Sequence, residues 1–195
     1  MRKGRVEAFS DGVLAIIITV MVLELRAPHS ADLAALVEVA PAFLAYVLSF
    51  IYIAIYWNNH HHLFSAVQHV NGAVLWANNA LLFCLSLVPF TTDWMGETHF
   101  APVPVALYGV DLFLSGVAFF IVAHRLIRLH GPDSTLSLAF GRDLKGWISP
   151  ALYLLAIAGA FIQPWIACAI YALVAVIWLV PDQRIDRLLV RSGGD

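Results

Sequence analysis

Apolar segments of membrane-spanning length are the feature of this sequence that most constrains its fold. The hydrocarbon core of a bilayer is about 30 Å thick, and a helix that crosses it needs about 20 mostly apolar residues. Segments of about this length, separated by polar residues, prolines or glycines, lie at 8–25, 41–58, 69–92, 102–127, 146–162 and 164–181. We therefore predict an all-α membrane protein in which residues 1–195 form a single domain of six transmembrane helices.

The composition supports a membrane protein and excludes other classes. Hydrophobic residues make up 61% of the 195 residues and charged residues 12%, whereas soluble domains average about 45–50% and about 25%. A net charge of −2 without a basic block argues against a nucleic-acid partner. The two cysteines, Cys84 and Cys168, lie inside apolar segments and do not form a disulfide framework. The lipid bilayer is the partner that the composition predicts.

Two prolines and a short polar stretch shape the predicted topology. The last two apolar segments are separated only by Gln163 and Pro164, but about 36 residues are too many for one crossing. Proline is favoured at the start of a helix, so we predict a tight hairpin there. Residues 30–40, before Pro41, predict a short amphipathic helix on the outer surface, with Ser30 or Asp32 as its N-cap.

The distribution of the eleven Lys and Arg residues predicts the orientation, because positive charge is retained on the cytoplasmic side of short loops. With six crossings and the N-terminus inside, Arg26 alone lies outside. The other ten lie inside, at Arg2, Lys3, Arg5, Arg125, Arg128, Arg142, Lys145, Arg184, Arg187 and Arg191. We expect a multi-pass protein of the cell membrane with both termini in the cytoplasm. Asp11 interrupts the first apolar segment, so we expect a retained helix rather than a cleaved signal peptide.

The polar start of the first segment contains Arg5, Phe9, Ser10 and Asp11. One interpretation is that Ser10 or Asp11 caps the first helix. The other is that Asp11 lies about one turn inside the membrane boundary, where a carboxylate needs a partner or a water-filled space. Arg5 or a polar residue of another helix would then supply that partner.

One face of the first helix is a candidate for contact with ions. Ile16, Thr19, Val20 and Leu23 follow i, i+3, i+4, i+7 spacing and share that face. Hydropathy by itself leaves lipid, protein and a pore open as its surroundings. Glu24 at the outer end of the helix is either an interfacial charge or part of an acidic pore entrance.

A second polar cluster lies near the inner ends of the second and third segments. It contains Trp57, Asn59, His60–His62 and two later asparagines, Asn78 and Asn79. Consecutive residues of a helix point about 100° apart, so three adjacent histidines do not share one ion without further ligands. We favour a hydrogen-bonding network that holds the polar start of the first helix, because buried polar groups in lipid need partners.

Two isolated residues also stand out. Asp111 lies within the fourth segment and is a functional residue, a satisfied buried acid, or an acid that faces an outer crevice. Pro89 predicts a kink or a helix end.

The combined motifs resemble the transmembrane protein 175 family, the potassium channels of endosomes and lysosomes and their prokaryotic relatives. The resemblance extends over essentially the whole chain. The matching stretches are Arg5-x-x-x-Phe9-Ser10-Asp11, Tyr56-Trp57-x-Asn59-His60-His61, and Asn79-x-Leu-Leu82 running on to Pro89-Phe90.

The resemblance implies a passive, potassium-permeable cation channel. In this family the first helices of all subunits line the pore, and an isoleucine constriction falls on Ile16 here. Further pore-facing layers fall on Thr19, Val20 and Leu23. A chain with one six-helix repeat is expected to form a homotetramer that conducts potassium and other monovalent cations without a cofactor or a resident metal.

The resemblance also implies an anchor for the pore helix. Arg5, Phe9, Ser10 and Asp11 would hold its base against a polar cluster of Trp57, Asn59, His60, His61 and Asn79.

Two other functional classes remain open at this level, a secondary transporter and a small membrane metalloenzyme. Either would use Asp111 or the histidines at 60–62. A transporter is expected to show two related halves or broken helices near the midplane, and the sequence shows neither pattern.

Overall fold

The described part of the chain folds into six α-helices, the number predicted. The computed structural model describes residues 2–132, 134, 136, 137 and 144–179. The helices are α1 (Gly4–Leu23), α2 (Ala35–Ser65), α3 (Gly72–Glu97), α4 (Pro102–His130), α5 (Leu144–Ala160) and α6 (Pro164–Leu179). The last apolar stretch is split into two helices, and α6 begins at Pro164, the predicted hairpin position.

The helices run alternately up and down and pack as one bundle. At the end of the bundle that contains the N-terminus, the ring centroids of His69, before α3, and His130, at the end of α4, lie 4.7 Å apart. Contacts at the other end include Phe100 against Trp165, with ring centroids 4.8 Å apart. α4 packs against α3, α5 and α6, whereas α1 packs mainly against α3 and α2 at the edge of the bundle. This arrangement leaves one side of α1 uncovered by its own chain.

Four of the helices, α1 to α4, are long and apolar enough to cross a membrane. α5 and α6 have 17 and 16 residues, which corresponds to lengths of about 25 Å. Backbone hydrogen bonds of the turn at residues 161–163 close the hairpin between them.

The predicted surface helix at residues 30–40 is wrong. α2 begins at Ala35, continues through Pro41, and its N-cap is Ala34. Ser30 instead donates a hydrogen bond to the Asp32 carboxylate over 2.9 Å. A proline removes one helical hydrogen bond, here the bond to the carbonyl of Val37. That residue is exposed near the start of the helix, so we attribute the tolerance of Pro41 to the accessibility of this carbonyl.

Pro89 does not end α3, which continues to Glu97. The Thr91 hydroxyl oxygen lies 3.2 Å and 3.4 Å from the carbonyl oxygens of Val88 and Leu87 in the turn that follows the proline. The helix-end alternative for Pro89 is therefore wrong.

The core of the bundle combines apolar packing with a few buried polar contacts. The hydroxyl oxygens of Ser49 and Thr92 lie 2.6 Å apart, and Ser49 also donates to the Tyr108 hydroxyl over 3.1 Å. Gly96 permits a close approach of α2 and α3, because a Cβ at this position would lie 2.7 Å from the Ala42 Cα. These contacts hold α2, α3 and α4 together in the half of the bundle far from the N-terminus.

Candidate functional site

α1 has one face buried against its own chain and one face exposed. The buried positions recur at helical spacing and are Val6, Ser10, Leu14, Ile17 and Met21. On the other side, Ile16 is 64% exposed and Leu23 is 75% exposed, and Thr19 and Val20 are exposed as well. The four residues that the resemblance assigned to a pore therefore lie on the surface of the single chain.

The exposed face of α1 borders a cavity of about 520 Å³ between α1 and α3. Ile16 and Val20 line one side, and Phe90 lines the other. Two carboxylates, those of Glu24 and Asp93, also belong to the lining at its outer end. An apolar groove thus ends in an acidic mouth.

The Thr19 hydroxyl on this face donates to the carbonyl of Ala15 over 2.9 Å. Its hydrogen is occupied by the helix backbone, whereas the oxygen keeps lone pairs that accept from water or bind a cation. The face therefore carries a hydroxyl oxygen one turn beyond Ile16.

A buried hydrogen-bonded chain joins α1, α3 and α2. The Asn78 amide nitrogen donates to the Ser10 hydroxyl over 3.0 Å, and the Asn78 oxygen lies 2.9 Å from Nε2 of His60. All three side chains are buried. Asn78 lies on the buried face of α3, where its neighbours in helical register, Val74, Leu81 and Leu85, are apolar.

A second contact between α1 and α2 lies beside this chain. The Trp57 indole nitrogen donates to the Asp11 carboxylate over 3.0 Å. The His61 ring stacks on Trp57, with centroids 6.1 Å apart and planes 23° apart. The partner of Asp11 is thus a polar group of another helix, which was one of the two partners considered from the sequence.

The capping interpretation of Ser10 and Asp11 is wrong. α1 begins at Gly4, and its N-cap is Lys3, so both residues lie inside the helix. Lys3 itself contacts α2, because its Nζ donates to the carbonyl of Phe64 over 2.7 Å. It also lies 3.8 Å from Glu7 on α1. From its sequence Lys3 was predicted only to lie on the cytoplasmic side, and its contact with α2 was not predicted.

Several predicted anchor residues lie outside the buried chain. Arg5 is exposed and makes no hydrogen bond or ion pair with other residues that the structure describes. Phe9 and Asn79 are exposed, and Asn59 donates to the carbonyl of Ile55 on its own helix over 2.8 Å. The helical register of α3 distinguishes Asn78 from Asn79, since the two side chains point about 100° apart.

The three adjacent histidines have separate environments. His60 is buried and stacks on Phe64 with ring centroids 4.3 Å apart, whereas His61 is exposed against Trp57. His61 and His62 meet edge to face with centroids 5.9 Å apart. No group of three or more His, Cys, Asp or Glu residues suited to hold a metal ion occurs in the part of the chain that the structure describes.

Asp111 is buried in the bundle and does not face an outer crevice. The Thr91 hydroxyl donates to its Oδ2 over 3.2 Å. Its Oδ1, and the Ser115 hydroxyl one turn further along α4, have no hydrogen-bond partner among the described residues. The satisfied-acid interpretation holds for one oxygen of this carboxylate.

Comparison with known proteins identifies the family. Residues 5–89 match the model of the endosomal/lysosomal potassium channel TMEM175. A potassium channel of Chryseobacterium sp. (strain P1-3) is 54% identical to the chain, over 97% of this chain and 98% of that protein. The chain belongs to the TMEM175 family. The resemblance drawn from the sequence motifs is confirmed.

Further members of the TMEM175 family agree with this assignment. A potassium channel of Chamaesiphon minutus is 34% identical over 89% of this chain and 91% of that protein. The crystal structure of a lysosomal potassium-selective channel TMEM175 homologue from the same organism superposes with a TM-score of 0.80. It shares 29% sequence identity and covers 92% of this chain and 97% of that chain. The relatives and the fold are therefore those of channels, not of enzymes.

The human relative is more distant and carries a different description. It is named an endosomal/lysosomal proton channel TMEM175 and is 38% identical over 38% of this chain and 17% of its own length. The match to the family model includes the N-terminal part of the chain, where Ser10 and Asp11 contact α3 and α2.

Proposed function

We propose that this protein is a passive, potassium-permeable cation channel whose pore is lined by α1 from four identical subunits. The assignment as a potassium channel rests on the 54% identity to the Chryseobacterium potassium channel over nearly the full length of both chains. The tetramer and the pore-lining role of α1 rest on the family resemblance and on the exposed face of α1. We place the protein in the cell membrane with its termini in the cytoplasm, on the basis of its Lys and Arg distribution.

Only some of the basic residues on which this orientation rests belong to the described part of the chain. Arg142, Arg184, Arg187 and Arg191 lie outside the described residues. Arg125 and Arg128 lie in the last turns of α4, at the same end of the bundle as the start of α1.

The chemistry of the groove beside α1 favours a wet surrounding over lipid. A carboxylate that faces hydrocarbon is costly and needs a partner or water. Glu24 and Asp93 both line the groove, so a water-filled space at its outer end accommodates them. In a tetramer these carboxylates would surround the pore entrance and raise the local concentration of cations.

Ile16 is the proposed gate. Four isoleucine side chains around an axis would form a short apolar constriction, which stops ions by dewetting until the helices move apart. Thr19, Val20 and Leu23 would continue the pore toward the outside. The Thr19 oxygen would replace part of the hydration of a passing cation, and without a filter of rigid carbonyls we expect modest discrimination of potassium from sodium.

The contacts of α1 are distributed in a way that suits gating. Its first half forms the Ser10–Asn78–His60 chain and the Asp11–Trp57 bond. From Gly12 to Leu23, α1 forms no hydrogen bond to another helix among the described residues. We propose that polar contacts anchor the base of the pore helix, while apolar packing lets the segment with Ile16 move.

Flux through reconstituted protein tests the channel. Purified protein in liposomes with an outward potassium gradient is expected to release potassium down the gradient without a coupled ion. Fixed stoichiometric coupling to protons or sodium would instead support the transporter alternative built on Asp111. Empty liposomes and protein heated before reconstitution serve as controls.

Cysteine cross-linking tests the placement of α1. In a background without Cys84 and Cys168, Leu23→Cys is expected to form disulfide-linked dimers within a tetramer. Leu114→Cys, at an exposed site on α4, serves as the matched control and should not cross-link. Cross-linking at Leu114 but not at Leu23 would place α1 away from the axis.

A further inference from the structure

A second cavity lies away from the proposed pore, between α2, α4, α5 and α6. Its volume is about 380 Å³, and α1 contributes no residue to its lining. Most of the lining residues lie in the halves of these helices nearer the N-terminal side of the bundle, such as Tyr56 on α2 and Trp178 on α6. The conduction pathway proposed above makes no use of this space.

The walls of the cavity are suited to an apolar occupant. Most lining residues are aromatic or aliphatic, including Phe113, Val117 and Phe119. The polar groups present are largely occupied: Ser149 donates to the Lys145 carbonyl and accepts from the Trp178 indole, each over 2.8 Å. A water molecule needs two to four polar partners, and this lining offers few.

The cavity opens on the surface between α4 and α5. Phe120 is 36% exposed and Trp147 is 75% exposed, and their rings meet edge to face with centroids 6.1 Å apart. Along α4, the lining extends from Phe113 to Phe120, a rise of about 10 Å. At this depth in a spanning helix the surrounding medium is hydrocarbon rather than water.

Basic residues follow the opening toward the end of α4. His124 and Arg128 continue the face of Phe120 at helical spacing, and the His124 ring lies 3.8 Å from the Phe120 ring. Arg128 is exposed and lies in the last turn of the helix. Trp147 at the opening is of the residue type that prefers the membrane–water interface. A negatively charged headgroup at this level would meet positive charge.

We propose that the cavity binds one acyl chain of an anionic phospholipid from the leaflet on the N-terminal side, with the lipid phosphate beside Arg128. The chain would enter past Phe120 and Trp147 and fill the space toward Tyr153. The charge at Arg128 would select anionic over zwitterionic headgroups. The site is complete within one subunit, so it does not depend on the proposed tetramer or its gate.

Photo-cross-linking tests the site. Full-length protein is reconstituted in phosphatidylcholine vesicles with a trace of phosphatidylglycerol that carries a diazirine in one acyl chain, and adducts are mapped by mass spectrometry. We expect adducts concentrated on the lining segments 113–120 and 146–153. Adducts spread evenly over the exposed faces of all helices would overturn the proposal.

A cavity-filling variant supplies the matched comparison. A Cβ at Gly116 would face the cavity, with its nearest neighbours the Tyr56 hydroxyl at 3.8 Å and Tyr153 Cε2 at 3.9 Å. Gly116→Phe is expected to abolish the concentrated adducts, and the smaller Gly116→Leu replaces it if folding fails. Ile121→Phe, on the exposed side of the same helix, should leave the adducts unchanged. Equal labelling of Gly116→Phe and wild type would contradict the proposal.

The headgroup contact is tested separately. Arg128→Gln is expected to lower the preference for labelled phosphatidylglycerol over labelled phosphatidylcholine about fivefold, from the ~1 kcal/mol that one arginine contributes near an anionic surface. Arg2→Gln removes the same charge at the same end of the bundle, from an exposed position before α1 that does not line the cavity, and serves as its control. An equal loss of preference in both variants would show general surface attraction and overturn the assignment of Arg128.

Discussion

The side chains of Asn78 and Ser10 are directly hydrogen bonded, with the Asn78 amide nitrogen 3.0 Å from the Ser10 hydroxyl oxygen. Asn78 lies on α3 and also contacts His60 of α2 over 2.9 Å. One buried amide therefore links α1, the candidate pore helix, to both α3 and α2. The removal of this amide leaves two buried polar groups without a partner, which is more costly than the loss of the bonds alone.

Asn78→Leu is therefore expected to destabilise the folded protein by about 1–3 kcal/mol. Thermal unfolding followed by fluorescence-detected size-exclusion chromatography measures the effect. Asn79→Leu is the control, because Asn79 is exposed, and it should unfold close to the wild-type temperature. A double variant with Ser10→Ala should lose less than the sum of the two single losses, since it leaves one fewer unpaired group. Equal destabilisation by the Asn78 and Asn79 variants would contradict the anchoring role.

Ile16→Ala is expected to increase potassium flux and to reduce discrimination against larger monovalent cations. The smaller side chain widens the proposed constriction and lowers the cost of wetting it. Liposome flux with potassium, rubidium and caesium measures both effects. Val22→Ala is the matched control, because Val22 is an exposed aliphatic residue of the same helix outside the predicted pore face. A larger change from Val22→Ala than from Ile16→Ala would mean that the pore face is assigned wrongly.

Thr19→Val should reduce potassium flux without a change in thermal stability. Valine keeps the shape of threonine but removes the oxygen that would substitute for water around the ion. The lost bond to the Ala15 carbonyl lies within the same helix and is exposed, so its contribution to stability is small. Thr19→Ser retains the hydroxyl and is expected to restore flux. If valine and serine behave alike, the hydroxyl does not contact the ion.

Neutralisation of the acidic groove is expected to lower flux most strongly at low ionic strength. Glu24→Gln combined with Asp93→Asn removes the charge that would concentrate cations at the entrance, and salt screens such an effect over about 10 Å at 0.1 M. Flux is compared at low and high salt with potassium held constant. Glu38→Gln removes an exposed carboxylate from α2 outside the groove and is the control. A loss that is independent of salt would argue against electrostatic concentration of ions.

Asp111→Asn should preserve potassium flux. The carboxamide keeps the shape of the carboxyl group and a hydrogen bond to Thr91, and it removes the cost of a buried charge. Flux under a potassium gradient, with and without a proton gradient, provides the measurement. Loss of transport in this variant with retained folding would revive the transporter alternative. Leu114→Asn is the control, because it introduces the same carboxamide at an exposed position of α4 without entering the core.

The sequence predicted more of the architecture than of the contacts. The number of helices, the division of the last apolar stretch at Pro164 and the family motifs all follow from composition and from local pattern. The short helix before Pro41 and the helix end at Pro89 were wrong for one reason. Proline removes one backbone hydrogen bond and weakens a helix locally, but the packing of the bundle decides whether the helix continues.

A motif does not determine which of two adjacent asparagines, Asn78 or Asn79, faces the neighbouring helix. Asn79 begins the matching stretch and Asn78 immediately precedes it, and the register of α3 places Asn78 toward Ser10 and Asn79 at the surface. Helical spacing contained this signal, because Asn78 lies in line with Val74, Leu81 and Leu85. The contact of Trp57 with Asp11 had no such signal, since it depends on how α1 and α2 meet.

By itself, the sequence determined the membrane class, the all-helical fold and the family, because transfer of apolar residues into lipid and short motifs are local properties of a chain. The tertiary structure decided which side of each helix is buried, which asparagine joins the helices and where cavities remain. In a chain that is apolar on every side of its helices, hydropathy does not distinguish protein from lipid, and the close fit of side chains between helices makes that choice.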